Sequence, residues 1–262
     1  DADATEPDYF FNLGYAYWLA AVSAVIGTDE GRLALLQLFI GAATAAGTAA
    51  AAAALAGPAA GWAAGLLAAG YRTAWYYEAI PISAGLINVL NITVLLCLLR
   101  CRVGAGLAPA LPWPFAAGLF TGLSALFRPT ALLWAVLVGG WLAFRAWREH
   151  RPLLLAGAYL AGVLLVIAPG AVRNRWLGGE WVLTTASGGM NFYKGNNPSA
   201  GAIYRPRQFE SADPRDHAAD FMREAERRTG RRVTVSGMSA FWAGESMQFI
   251  REAPVAWMKN LL

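Results

Sequence analysis

Three uncharged apolar runs, residues 33–55, 80–99 and 153–172, limit this chain more than any other feature. Each is about as long as a helix needs to cross the ~30 Å hydrocarbon layer of a bilayer. A soluble fold built from such runs would have no polar surface left, and composition agrees. Only 15% of residues are charged, against about 25% in soluble domains, and the mean hydropathy is +0.40. The expected class is an all-α polytopic membrane protein, because a spanning segment must satisfy its backbone internally.

Segments between and around the runs complete the layout. Residues 1–32 read as an acidic segment, with Asp1, Asp3, Glu6 and Asp8, followed by an aromatic interfacial helix over 9–26. Residues 33–172 read as a transmembrane helix bundle. Within it, 59–70 is a short apolar segment after the Gly57-Pro58 turn, and 71–79 is a polar, aromatic loop. The limbs 115–127 and 130–144 are broken at Arg128-Pro129, where proline ends a helix and arginine is costly in lipid. Residues 173–252 read as an outer loop region with short helices, and 253–262 as the start of a further membrane segment. Within the loop region, 214–229 has helical composition and a charge pattern suited to a solvated face, and 242–251 reads as an interfacial helix. The chain reads as a piece of a longer protein, with further spans expected on both sides.

Charge sets the orientation. The loops at 100–104 and 145–152 concentrate Arg100, Arg102, Arg145, Arg148 and Arg151, which marks them as cytoplasmic. Alternating passes then put 71–79, Arg128-Pro129 and the polar stretch from Arg173 onward on the opposite face. Arg72, Arg128, Arg173, Arg175 and Lys194 are left where positive charge is disfavoured, and an anionic partner would explain them. Snorkelling to lipid headgroups is the alternative. The sequence pI of 9.3 reports where the loops face, so no nucleic-acid partner is expected. Cys97 and Cys101 are too few for a metal site or a disulfide framework and read as helix-packing residues. His150 and His217 read as solvated. No nucleophile triad, phosphate-binding P-loop or dinucleotide motif is present.

Three local patterns carry a resemblance. They are Gly122-Leu123-Ser124-Ala125-Leu126-Phe127-Arg128-Pro129; Pro169 to Arg173-Asn174 with Gly178-Gly179 and Trp181-Val182-Leu183-Thr184-Thr185; and Gly188-Gly189-Met190-Asn191-Phe192-Tyr193-Lys194-Gly195-Asn196-Asn197. The Tyr76-Tyr77-Glu78 loop and Ala225-Glu226-Arg227-Arg228-Thr229-Gly230-Arg231 are similar to relatives too. In this order the features resemble bacterial polytopic glycosyltransferases of the GT-C fold, near the family 39 and aminoarabinose-transferase group. The resemblance implies a GT-C-like transmembrane helix bundle with interfacial helices and a periplasmic loop region, in the bacterial inner membrane. It implies transfer of a sugar from a polyprenyl-phosphate donor to a glycolipid, polysaccharide or protein acceptor at the periplasmic face. The family's catalytic aspartate lies in an outer loop upstream of the point where this chain begins. Of the catalytic candidates Asp1, Asp3 and Asp8, Asp1 or Asp3 would be the tail of that loop, but Pro7-Asp8-Tyr9 aligns better with the Pro-rich start of the interfacial helix that follows it, which would leave the true base upstream of this chain.

Such chemistry needs a carboxylate to take the acceptor's proton, cations to stabilise the departing phosphate, and an apolar groove for the prenyl tail. Glu78, among Tyr71, Trp75, Tyr76 and Tyr77, is the best carboxylate, and an ion pair with Arg72 or Arg128 is the alternative role. Arg128 and Arg173, supported by Arg72 and Asn174, are the phosphate candidates. Lys194 with Asn191, Asn196 and Asn197 would bind phosphate or sugar hydroxyls through a glycine-rich loop, and turn formation is the competing explanation. Some GT-C enzymes hold a divalent metal, for which no ligand set can be named here. A transporter or flippase of a lipid-linked sugar and a non-catalytic membrane scaffold are the competing functions.

Overall fold

A computed structural model of the protein describes residues 12–101, 110–148, 153–201, 203, 206–211, 213 and 216–261. Asp1, Asp3, Asp8 and His150 lie outside the described residues. Every regular element among the described residues is a helix. The chain divides into two compact units, one of Asn12–Gly170 and one built from Ala171 onward.

The first unit opens with α1 (Leu13–Ile26) and α2 (Glu30–Ala56). Asp29 caps α2 by accepting a hydrogen bond from the Arg32 amide at 2.9 Å. Gly57, at φ +88°, turns the chain into α3 (Pro58–Ala69), which folds back along α2 on small residues. A Cβ at Gly61 would meet Ala53 Cβ at 2.7 Å, and one at Gly65 would meet Ala49 Cβ at 2.8 Å. The expected polar loop at 71–79 is instead a helix, α4 (Arg72–Ala79), since it contains no breaker. The expected crossing at 80–99 starts late, with α5 at Ala84–Arg100. Pro81 is the reason: the residue before a proline is pushed to extended geometry, and Ile80 sits at φ −102°, ψ 149°. The two helices meet at a bend of 120°.

α6 (Pro112–Phe127) and α7 (Ala131–Arg148) are separated at Arg128-Pro129, where Arg128 is extended at φ −149° for the same reason. α8 (Leu154–Gly178) runs through Pro169 and beyond Arg173, where the apolar run alone had suggested an end. α6 and α8 lie parallel and touch backbone to backbone. A Cβ at Gly118 would strike the Tyr159 carbonyl, one at Gly162 the Phe115 carbonyl, and one at Gly122 the Val163 carbonyl at 2.9 Å. Small residues at such crossings let helices approach closely. Tyr159, fully buried, donates its hydroxyl to Thr121 Oγ1 at 3.1 Å in the same core as Ala117, Ala125, Leu142, Val163 and Ile167. Among the described residues two helices, α2 and α8, are long and apolar enough to cross a membrane, or three spans if the bent pair α4–α5 counts as one.

The unit from Ala171 onward contains α9 (Gly188–Gly195), α10 (His217–Thr229), α11 (Val235–Glu252) and α12 (Pro254–Asn260). Trp242 is its centre. It packs against Tyr193, Phe209, Phe221 and Phe241 and donates its indole N–H to the Phe221 carbonyl at 3.0 Å. Trp242 is fully buried in this core, while much of 243–251, the rest of the stretch expected to form an interfacial helix, is half-buried or exposed on the same helix. α9 and α11 meet where Gly189 donates its amide to Ser239 Oγ at 2.9 Å. Glu180 caps α11 from a distance, accepting from Thr234 Oγ1 at 2.7 Å and from the Ser236 amide at 3.2 Å. On α10 Arg223 and Arg227 are exposed, as a solvated face requires, whereas Glu224 is buried and accepts from Arg227 Nε and Nη2 at 2.7 Å and Arg228 Nε at 2.8 Å. Arg228 also reaches Glu245 at 2.9 Å.

Two outcomes follow from this packing. Gly118→Val should force α6 and α8 apart and cost about 1–3 kcal/mol as an overpacked contact, read as a lower detergent-solubilised melting midpoint, whereas Gly140→Val, facing open space, should leave it in place. The arginine hydrogen bonds hold the Glu224 carboxyl at about 2, down from 4.5. A depressed carboxyl stabilises the fold above its unfolded value and loses that contribution as pH falls through the folded one. Tryptophan fluorescence should therefore report weakening of this unit between about pH 4.5 and about 2, with a flatter pH dependence in Glu224→Gln.

Candidate functional site

Glu78 is 6% exposed although it lies on a short polar helix. Its carboxyl rests against the α carbon of Gly41 on α2, where any Cβ would collide with both carboxyl oxygens, and a Cβ at Gly85 on α5 would meet its side chain at 3.2 Å. Glu78 and Gly41 border a cavity of about 420 Å³, otherwise lined by apolar residues such as Leu38, Ala42, Ala45 and Trp75. Among the described residues no ion pair reaches Glu78, and Arg72 and Arg128 are both exposed. The carboxyl therefore sits at an apolar cavity without the arginine partner that its alternative role required.

Gln37 holds this geometry in place. It is 1% exposed, and its amide nitrogen lies 3.2 Å from the Glu78 carbonyl, 2.9 Å from that of Ile80 and 3.3 Å from that of Ile82. These carbonyls belong to the break between α4 and α5, where no helical partner exists for them. Gln37 is not among the residues that the sequence pattern singles out. Its signal was a lone amide inside an apolar run, a position where polar groups are expensive. Gln37 Oε1 is itself buried without a hydrogen-bond partner among the described residues.

A second cavity, of about 440 Å³, opens beside α5 and combines Asn88, Asn91, Thr44, Thr48 and Thr121 with Ile92, Leu95, Leu98 and Trp134. Ser124 donates to Asn91 Oδ1 at 3.3 Å at its edge. Polar groups occupy one part of the groove and aliphatic ones the rest, which suits an amphiphile.

The candidates from Arg173 onward are built into the second unit. Asn174, fully buried, donates to the Val182 carbonyl at 2.8 Å and accepts from Arg173 at 3.4 Å. Asn191 lies 3.4 Å from Ser187 Oγ and is exposed. Lys194 Nζ is 3.2 Å from His217 Nδ1 and 5.2 Å from the Phe221 ring centre. Burial pushes its ammonium below the ordinary range; Glu210 opposes the shift and Arg207 adds to it. His217, expected in solvent, is half-buried and also meets the Ser211 carbonyl at 3.2 Å through Nε2. Asn196 donates to Phe192 O at 2.9 Å and accepts from the Trp257 indole at 2.7 Å. Asn197 donates to Tyr193 O at 2.7 Å and accepts twice from Ser199. These asparagines close turns and dock α12. The structure brings Lys194, Asn196 and Asn197 together around the end of α9, whereas Arg72 and Glu78 share α4 without pairing. No group of three metal-ligating side chains occurs among the described residues.

No family model, curated protein or solved structure matches this chain.

Gln37→Leu removes the side-chain donor from the buried Glu78 carbonyl at the α4–α5 break, whereas the Ile80 carbonyl keeps its bond from the Ile82 amide at 2.8 Å; losing the donor costs about 1–3 kcal/mol. The variant should melt earlier in detergent and expose the break to limited proteolysis. An unchanged melt and digest would show that the amide is dispensable.

Proposed function

We propose that the chain belongs to an integral-membrane glycosyltransferase of the GT-C type, polytopic in the bacterial inner membrane, which moves a sugar from a polyprenyl-phosphate donor to an acceptor at the periplasmic face. The observation that carries this reading is the Glu78 carboxyl, held on Gly41 at an apolar cavity and free of an ion pair among the described residues. A carboxylate so placed can accept the proton of an acceptor hydroxyl or amine as that atom bonds to the anomeric carbon. The carbon–oxygen bond to phosphate breaks, and its electron pair leaves on the polyprenyl phosphate. Arginine guanidinium groups suit the stabilisation of that leaving group, and Arg72 and Arg128, both exposed, are the candidates in this unit. The groove running from Asn88 to Leu98 offers an aliphatic channel for the tail.

The 120° break between α4 and α5 beside Glu78 favours a second reading. Broken helices with a charged residue at the break also line transport sites, so a transporter or flippase of a lipid-linked sugar is the competitor. The full-length protein in vesicles separates the two. With a polyprenyl-phosphate sugar and an acceptor extract, product formation is expected, and Glu78→Gln should lower its rate by about 10²–10⁴-fold, the range for losing a general base. Arg128→Ala should lower turnover as well. Unchanged turnover in both variants removes these site assignments. Movement of labelled donor between leaflets without any product would establish transport instead.

A further inference from the structure

The turn after α8 carries large apolar side chains that neither unit's chemistry uses. Trp176 is 83% exposed and Leu177 more than half exposed, both in the last turn of α8. Gly179, at φ +71°, leads from α8 into a non-helical stretch along which burial alternates from Trp181 to Thr184. Val182 and Thr184 are buried, and Glu180 turns in to cap α11. Trp181, at 69%, and Leu183 point outward. This alternation is fixed from within, because Asn174 holds the Val182 carbonyl and Val182 belongs to the aromatic core. Trp181 and Leu183 therefore cannot turn inward without dismantling that core.

What covers them follows from the helix they adjoin. The 25 residues of α8 span ~37 Å at a rise of ~1.5 Å per residue, against a hydrocarbon layer of ~30 Å. About one turn is left over, and Arg173, Arg175 and Trp176 occupy it at one end. Indole rings, apolar with one polar N–H, concentrate at the headgroup boundary, and arginine next to them faces lipid phosphate. We infer that the stretch from Trp176 to Leu183 is an interfacial membrane anchor: Trp176, Trp181 and Leu183 insert into the headgroup and upper acyl layer, and Arg175 stays at the phosphates. This inference rests on the membrane part of the proposed function and is independent of sugar transfer.

Spin labels on single cysteines test this in the full-length protein, in a background with Cys97 and Cys101 replaced by alanine. The protein is reconstituted in vesicles of phosphatidylethanolamine and phosphatidylglycerol. Labels go at Trp181→Cys and Leu183→Cys, at Leu165→Cys on an exposed central position of α8, and at Arg231→Cys in the exposed turn after α10. Collision with oxygen reports lipid, and collision with a water-soluble nickel chelate reports solvent. The oxygen-to-nickel ratio at 181 and 183 should exceed that at 231 several-fold and approach that at 165. A high ratio at 165 with ratios at 181 and 183 equal to 231 overturns the anchor and spares the membrane reading. Low collision with both reagents at 181 and 183 means a protein covers them and also overturns it. A water-like ratio at 165 removes both readings together.

Discussion

Where an apolar helix breaks, the backbone groups freed at the break must be satisfied by the protein itself. In this chain the side chain nearest that task is one carboxamide. Gln37 reaches from α2 to three carbonyls between α4 and α5, and the direction of α4, with Glu78 on its inner side, depends on that link. Pro81 makes the break unavoidable and Gln37 makes it affordable in an apolar setting. The cavity beside Glu78 follows from the alanines and glycines of α2 and α3, which leave space where larger side chains would fill it.

Much of the fold was legible in the residues. The apolar runs located α2, α5 and the start of α8 to within a few residues, because length and hydrophobicity decide which segments become apolar helices. Arg128-Pro129 marked the division between α6 and α7 through the same steric rule that delays α5. The boundaries failed where chain-local chemistry was silent. Polar residues 71–79 carry no breaker and formed a helix, and Arg173 and Arg175 did not stop α8, since charge alone does not end a helix.

The site was legible only in part. Glu78 stood out as a carboxyl among aromatics, but its seat on Gly41 is a contact between residues 37 positions apart in sequence, and no local pattern announces it. Gln37 shares that invisibility. In the unit from Ala171 onward, polar residues that read as ligand candidates turned out to be shared with the architecture: Asn174 and Asn196 each bind backbone, and Lys194 lies against His217 and Phe221. Asn-rich, Gly-rich sequence signals turn formation as readily as ligand binding. Trp242 is ambiguous for a related reason, since an indole serves equally at a lipid boundary or in an aromatic core.

The seat of Glu78 on Gly41 also ties two distant positions into one steric unit. A methyl group at 41 would occupy the volume of the carboxyl itself, so neither residue is free to drift alone. Among chains descended from the same ancestor, a larger residue at the first position should be accompanied by a shorter acid or a neutral side chain at the second. Pairwise exchange of that kind would mark lineages in which the carboxyl has been given up or moved elsewhere.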